Sequence, residues 1–135
     1  MKNFQVDKSI FKKYNVKLAY LFGSRAKGTS AKESDFDIAV LFKAKNGSQD
    51  FFEKTLDLQD SLRKYFTTKI DIVALNDAPS LLKYEVIANG IVLYSDDERF
   101  RIDYEVSSVK EYIDDQHFRN IYFDALTKRV EEGVF

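Results

Sequence analysis

The sequence predicts an α/β fold: a small mixed sheet of about four strands, helices packed mainly on one face of it, and a C-terminal helical extension. Four short apolar runs, bounded by polar or glycine-containing segments, have the length of strands. Between and after these runs, apolar residues recur at helical spacing. The chain has 135 residues, a length that suits a single domain with its own hydrophobic core.

The first half of the chain predicts two helices and two strands. Residues 7–14 have the pattern of a short helix, and residues 16–22 that of a strand ended by Gly23. Residues 36–42 are a second apolar run of strand length. Residues 50–66 place apolar side chains on one helical face and charged ones on the others, which predicts an amphipathic helix.

The second half predicts two more strands and a long helical region. Residues 69–75 form a third strand, and Pro79 suits the first turn of a helix that runs to about Asn89. Residues 91–94 form a short fourth strand at an edge. From residue 97 the chain lacks proline and glycine until Gly133, which predicts one long helix or two consecutive helices. We therefore divide the single domain into a core, 1–96, and a helical extension, 97–135.

Composition excludes several classes of function. The chain is 44% hydrophobic and 32% charged, as in soluble globular proteins, and it has no cysteine and one histidine, which excludes disulfides and thiolate or histidine-rich metal sites. Its net charge of −1 argues against direct nucleic-acid binding as its main task. It has no apolar run of about 20 residues, which a membrane helix needs, and its first residues lack the apolar core that a secretion signal would show. We expect a cytoplasmic protein.

A glycine-flanked serine follows the first predicted strand. Gly23 lets the backbone bend, and Gly28 permits a ligand to approach closely. Backbone N–H groups at such a turn point toward anions, and the Ser24 hydroxyl can donate to a phosphate oxygen. Arg25 and Lys27 add positive charge nearby, either as phosphate contacts or as solvated side chains. The segment predicts a phosphate-binding turn.

Three aspartates stand on neighbouring predicted strands. Asp35 and Asp37 point the same way because side chains along a strand alternate between faces. Asp71 stands between two isoleucines in the third strand, so it too points away from the core. If these strands pair, the three carboxylates converge and repel one another unless cations neutralise them. Oxygen ligands of this kind suit Mg²⁺, with Mn²⁺ as an alternative, rather than zinc.

Taken singly, each of these features has a plain structural explanation. The glycine–serine pair could be only a turn, the aspartate pair a solvated strand edge or cap, and Asp71 a surface residue. The conjunction of the three, with ten residues between Ser24 and Asp35, favours metal-dependent chemistry on a nucleoside triphosphate.

Over about residues 18–94 this pattern resembles the polymerase-β-type nucleotidyltransferase superfamily. The segments Gly-Ser-Arg-Ala-Lys-Gly and Ser-Asp-Phe-Asp-Ile-Ala-Val are most similar to its minimal branch, the MNT proteins. That branch includes the MntA antitoxins, which pair with HEPN-domain HepT toxins. The resemblance implies that Gly23 and Ser24 hold the triphosphate, that Asp35 and Asp37 bind two magnesium ions, and that Asp71 completes the metal site and helps deprotonate the acceptor.

The resemblance also implies a reaction. AMP would pass from ATP to a tyrosine hydroxyl of a cognate HEPN ribonuclease toxin, with release of pyrophosphate, and would neutralise the toxin. Two alternatives stay open. The acceptor could be a hydroxyl of a small molecule such as an aminoglycoside, or the chain could be a binding module that covers a toxin without catalysis.

The C-terminal extension is rich in large aromatic side chains, more than one small domain readily buries. Exposed aromatic stripes are typical of interfaces. We therefore predict that the extension contacts a helical partner, a second copy of this chain, or both. The residues concerned are Phe100, Tyr104, Tyr112, Phe118, Tyr122 and Phe123.

Overall fold

The computed structural model describes residues 7–23, 36–43, 50–66 and 68–133. Within these ranges the chain forms four strands and four α-helices, with short 3₁₀ turns after the second helix and the third strand. Each of these four strands and four α-helices lies where the sequence predicts it, within a few residues at the ends. In chain order they are α1 Lys8–Lys13, β1 Val16–Phe22, β2 Phe36–Phe42, α2 Phe51–Leu62, β3 Ile70–Ala74, α3 Ser80–Asn89, β4 Ile91–Ser95 and α4 Glu98–Glu131.

The four strands form one sheet in the order β3-β2-β1-β4. Strand β1 runs antiparallel to both of its neighbours, β2 and β4. Strand β2 runs parallel to β3, which makes the sheet mixed. The prediction of a small mixed sheet with β4 at an edge is therefore confirmed.

Helices cover both faces of this sheet. On one face α1 and α2 contribute Phe11, Leu58 and Leu62 to a core with the inward residues of β1, β2 and β3. On the other face α3 and the beginning of α4 contribute Val86 and Phe100 to a second core. Two buried faces require two layers of helix, as in other sheets whose strands are apolar on both sides.

The prediction that helices pack mainly on one face is wrong. Strand β1 is buried without interruption from Leu18 to Leu21, so its successive side chains enter opposite cores. Such a continuous apolar run, unlike strict alternation, is typical of a strand covered on both sides. That run is visible in the sequence and would have indicated the second layer.

Aspartate side chains fix the starts of the helices that frame the sheet. The Asp50 carboxylate accepts a hydrogen bond from the Glu53 N–H at 3.1 Å, at the beginning of α2. The Asp97 carboxylate accepts from the N–H groups of Arg99 and Phe100 at the beginning of α4. Such caps satisfy N–H groups that have no partner within the helix, and they stabilise it by about 1 kcal/mol.

Helix α4 is a single helix of 34 residues, about 51 Å long. Its first half packs on the domain: Ser108 is buried, and Tyr112 stacks on Tyr84 of α3 with ring centroids 4.2 Å apart. From Ile113 to Gly133 every residue except Leu126 is exposed. The helix therefore extends beyond the domain and exposes several large apolar side chains among charged ones. None of the helices that the structure describes has both the length and the apolar character needed to cross a membrane.

Candidate active site

Asp37 and Asp71 occupy matching positions on two paired strands. They are register partners in the parallel ladder between β2 and β3, and neighbouring strands lie about 4.8 Å apart. Their flanking residues, such as Ile38 and Ile70, enter the core under α1 and α2. Both carboxylates therefore project from the opposite face, the one that α3 and α4 partly cover. The structure brings together two of the three predicted acids.

Gly23 lies directly against Asp37. Phe22, the last residue of β1, pairs with Asp37, and Gly23 follows it with φ +79°. A β-carbon built on Gly23 would lie 2.5 Å from Asp37 Oδ2. Only glycine fits here, because any side chain would both strain the backbone and collide with the carboxylate. The predicted phosphate-binding turn thus begins in contact with a predicted metal ligand.

Four of the predicted site residues, Ser24, Arg25, Lys27 and Asp35, lie outside the described residues. Asp35 directly precedes β2 in the sequence, and Ser24 directly follows Gly23. Among the described residues no group of three or more His, Cys, Asp or Glu side chains comes together. The described part of the site therefore consists of Gly23, Asp37, Asp71 and their neighbours.

Lys69 is a neighbour of the site that the sequence analysis did not single out. Its Nζ lies 3.7 Å from Asp71 Oδ1. Residues 69 and 71 point to the same face because side chains alternate along a strand, and this spacing is a signal that could have identified Lys69. The two side chains are 68% and 45% exposed, so the ion pair itself contributes little stability. It does supply positive charge beside Asp71.

A hydrogen-bond network ties the same face of the sheet to α4. The Tyr20 hydroxyl donates to Glu105 Oε2 at 2.8 Å, and Arg101 donates to the same oxygen at 3.0 Å. Arg101 also makes a two-bond contact with Glu98. Burial, and then the bond to Glu105, raise the pKa of Tyr20 well above its usual range. Tyr20 lies on β1, three residues before Gly23. The network therefore anchors the strand that leads into the glycine turn.

The donor set of the site suits a hard divalent cation. Asp37 and Asp71 supply carboxylate oxygens on one face, and such oxygens are the ligands that magnesium prefers. Lys69 already provides a positive charge to Asp71 at 3.7 Å, which indicates that this position accommodates a cationic neighbour. The residues present therefore fit a bound magnesium ion.

Comparison with known proteins identifies the family of the chain. The family model described as polymerase beta, nucleotidyltransferase matches residues 7–99 of the chain. The protein adenylyltransferase MntA of Shewanella oneidensis is 33% identical over 92 residues, which cover 64% of this chain and 62% of that protein. The chain spans between 58% and 62% of the length of the curated relatives it matches.

Solved structures share the fold. A chain of a crystal structure of a toxin–antitoxin with AMP-PNP superposes with a TM-score of 0.68 at 25% identity, covering 90% of this chain and 99% of that one. A chain of the complex between the tri-AMPylated Shewanella oneidensis HEPN toxin and an MNT antitoxin superposes with a TM-score of 0.65 at 23% identity. That match covers 88% of this chain and 91% of the other. The superpositions include most of α4 as well as the sheet, since about nine tenths of the chain is covered.

Proposed function

Because the chain belongs to the polymerase beta nucleotidyltransferase family, we propose that it is an antitoxin that transfers AMP from ATP to a partner protein. The acceptor is a tyrosine hydroxyl of a cognate HEPN-family ribonuclease toxin, and the modification neutralises the toxin. The name of the Shewanella relative, protein adenylyltransferase MntA, supports this reaction. The fold shared with a toxin–antitoxin structure containing AMP-PNP supports ATP as the substrate. ATP as substrate also makes the cytoplasm the site of action.

One observation carries the proposal: Asp37 and Asp71 stand side by side, with Gly23 in contact with Asp37. Two carboxylates held this close on one face repel each other, and a purely structural surface gains nothing from the arrangement. A site that gathers cations and phosphates does gain from it. The contact with the glycine turn brings a phosphate-binding element to the same place.

The proposal assigns a role to each site residue. Gly23 and Ser24 hold the triphosphate, and Arg25 and Lys27 screen its charge. Asp35, Asp37 and Asp71 are the ligands for two Mg²⁺ ions. Magnesium, when bound there, would neutralise phosphate charge and lower the pKa of the acceptor hydroxyl.

In the reaction the acceptor oxygen forms a bond to the α-phosphorus while the bond to pyrophosphate breaks. Asp71 lies on β3, an edge strand of the sheet, and we assign it the task of helping to take the hydroxyl proton. The protein's contribution is mainly positioning and the screening of charge.

The helical extension, residues 97–135, has a second role in the proposal, namely contact with the partner. The overhanging half of α4 presents Phe118 and Tyr122, which are 68% and 64% exposed. These residues continue the helical face through which Phe100 and Tyr104, eighteen residues earlier, pack on the domain. A partner helix laid on this face would extend the protein's own second core.

The test is an intact-mass measurement. The purified chain is incubated with ATP, magnesium and the product of the neighbouring toxin gene. One or more AMP units on the partner is the expected result. Asp37→Asn should abolish the mass increase, whereas Asp60→Asn, which removes an exposed carboxylate on α2 that pairs only with Arg63 among the described residues, should leave it unchanged.

Two results would contradict the proposal. A stable complex with no mass increase, together with toxin neutralisation by Asp37→Asn, would make the chain a steric antitoxin. Failure to modify the partner combined with transfer of AMP to an aminoglycoside would make the acceptor a small molecule. In both cases chelation with EDTA distinguishes a metal-dependent reaction from background labelling.

A further inference from the structure

Helix α4 carries a second apolar stripe, which the proposed function does not use. Ile102, Val106, Val109 and Ile113 follow one another at intervals of four, three and four residues. Alternation of three and four is the seven-residue repeat of a coiled coil, in which these positions form the seam between two helices. The same repeat continues through Phe123 and ends at Val130. We call these positions the α4 seam.

Most of the α4 seam faces away from the protein's own domain. The domain side of α4 is the face of Tyr104, Ser108 and Tyr112, which pack on the sheet and on α3. At 100° per residue the seam lies more than a third of a turn away from that face. Ile102, Val106 and Ile113 are 50%, 49% and 57% exposed accordingly. Five of the eight large hydrophobic side chains that α4 exposes belong to the seam, so their exposure is organised rather than scattered.

Two polar residues interrupt the seam at its centre. Gln116 and Asn120 occupy successive seam positions, between Ile113 and Phe123. A single asparagine at an a-type position is a known device for fixing register and two-strand association, because its amide pairs with the same amide of the second helix. Asn120 holds that a-type position here, in line with Val106 and Ile113. The interruption therefore favours a partner that presents the same residue at the same level.

Charges beside the seam favour the same partner. In a parallel pair, the residue i that directly precedes an a-type position lies beside residue i+5 of the other helix. This rule sets Arg119 against Asp124 of the second copy, and Glu105 against Lys110 of the second copy. Both pairs are attractive and both occur twice by symmetry. Within its own chain Glu105 already accepts hydrogen bonds from Tyr20 and Arg101 at Oε2.

An antiparallel pair fits these charges less well. In the antiparallel alignment that matches apolar layers with apolar ones, Gln116 lies opposite Asn120 of the second helix. This alignment places Arg119 beside Arg119 of the second helix, and Asp103 beside its Glu131. Both contacts are repulsive, and they outnumber the one attractive contact of this alignment, which joins Lys110 to Asp124 of the second helix. Beside α3, Ile87, Val106 and Val109 line an open groove of about 440 Å³, which offers a second helix apolar surface along the N-terminal part of the seam.

From these observations we propose that α4 forms a parallel two-stranded coiled coil with α4 of a second copy of this chain. Asn120 pairs with Asn120 at its centre, and the two domains lie on the outer sides of the helix pair. The stripe of Phe118 and Tyr122 remains outside this seam, so dimer formation leaves the proposed toxin-binding face accessible. The inference stands independently of catalysis.

Sedimentation equilibrium between about 1 and 100 µM tests the proposal, a range that spans micromolar dissociation constants. The wild-type chain should reach twice its mass of 15.7 kDa. Ile113→Asp should stay monomeric, because it buries a charge in the seam. Ile121→Asp is the matched control: Ile121 is 53% exposed on the same helix but lies off the seam, and this variant should dimerise like the wild type. Circular dichroism checks that both variants are folded.

The direction of the pair has its own test. The chain has no cysteine, so Val106→Cys introduces one thiol per copy. In the parallel pair these thiols share a layer and should form a disulfide on oxidation, whereas in an antiparallel pair they lie tens of ångströms apart. Ile121→Cys should not cross-link efficiently.

Three outcomes overturn the proposal. The first is a wild-type chain that remains monomeric throughout the range, which would leave the seam to a helix of a different protein. The second is a dimer that both aspartate variants preserve, because the contact would then lie elsewhere. The third is a dimer in which Val106→Cys fails to cross-link, because the helices would then not be parallel and in register.

Discussion

The Cα of Gly23 and the carboxylate of Asp37 are in direct contact, so that a β-carbon on Gly23 would lie 2.5 Å from Oδ2. The turn after β1 and the acid on β2 are therefore one unit, although thirteen residues separate them in the sequence. A change at one must move the other. Asp71 is the register partner of Asp37. Gly23, Asp37 and Asp71 therefore lie next to one another across three strands or strand ends.

Gly23→Ala should reduce both stability and activity. The new methyl group would strain a backbone at φ +79° and push the Asp37 carboxylate out of place. We expect a loss of about 2 kcal/mol in the free energy of unfolding, measured by urea denaturation. The proposed AMP transfer should fall by at least about tenfold, because the residue to which we assign a metal-binding role would be displaced.

Gly133→Ala is the control for this prediction. Gly133 has a similar φ of +68°, but an added β-carbon would meet no atom within 4 Å. This variant should lose about 1 kcal/mol through backbone strain alone and keep full transferase activity. Equal losses of activity in the two variants would mean that the contact with Asp37 has no catalytic importance.

Asp37→Asn should change stability in opposite directions with and without magnesium. In EDTA the substitution relieves repulsion between Asp37 and Asp71, so the melting temperature should rise, by an amount that corresponds to about 1 kcal/mol. In excess magnesium, an ion bound at the proposed site would stabilise the wild type but not the variant, so the order should reverse. Thermal unfolding followed by circular dichroism in both buffers measures the effect. A variant that is less stable than the wild type in EDTA would show that Asp37 has a structural role.

The elements of the fold were predictable because local patterns determine them. The apolar runs of β1, β2 and β3 have strand length, and period-two alternation correctly set Asp71 on the opposite face from Ile70 and Ile72. The lack of proline and glycine between residues 97 and 132 allowed a continuous α4. The choice between one helix and two remained open, because no local sequence feature distinguishes two consecutive helices from one helix that extends beyond the domain.

Long-range contacts were not predictable in the same way. The bond from Tyr20 to Glu105 joins residues that are 85 positions apart, and no spacing rule links them. The layer of α3 and α4 on the second face depends on packing by Val86 and Phe100. Helix α3 has apolar residues on several sides, so its sequence does not say which side meets the sheet. The roles of all the site residues stay predictions, and Ser24, Arg25, Lys27 and Asp35 also lie outside the described part of the chain.

Tyr20→Phe should destabilise the protein without altering the active-site residues. The substitution removes the hydrogen bond from a buried hydroxyl to the Glu105 carboxylate, and a bond to a charged group contributes about 1.5 to 3 kcal/mol. Urea denaturation at pH 8 measures the loss. Tyr122→Phe removes a hydroxyl from a side chain that is 64% exposed and should leave the unfolding midpoint unchanged.

Stability should fall as the pH rises above about 10. Burial raises the pKa of Tyr104 to about 12 and that of Tyr20 well above its usual range. These two tyrosines add stability that is fully present below pH 10, the ordinary tyrosine pKa, and is lost as the pH rises toward their folded-state values. The reason is that the unfolded chain then releases protons that the folded chain retains.

Comparison of Tyr20→Phe with the wild type isolates one of these protons. Between about pH 10 and 11.5 its free energy of unfolding should decline less steeply, by up to about 1.4 kcal/mol per pH unit. Urea midpoints across this interval measure the slope. Identical slopes for the two proteins would mean that Tyr20 ionises as easily in the folded state as in the unfolded chain.

The double variant Phe118→Ala, Tyr122→Ala should bind the toxin weakly while folding normally. Both side chains lie on the overhanging half of α4 and are about two-thirds exposed, so their loss costs the isolated domain little. In an interface, buried aromatic side chains of this kind often contribute about 2 kcal/mol each. Together they correspond to a rise in Kd of two to three orders of magnitude, measurable by titration calorimetry.

The matched control is Ile113→Ala, on the same helix but on the α4 seam. It should weaken association between copies of the chain and leave toxin affinity within a factor of a few. The two stripes of α4 would then be separable by mutation: one recruits the acceptor protein, and the other joins copies of the enzyme. If both variants lowered toxin affinity equally, the toxin would have to contact the seam itself, and the parallel helix pair could not coexist with the bound toxin.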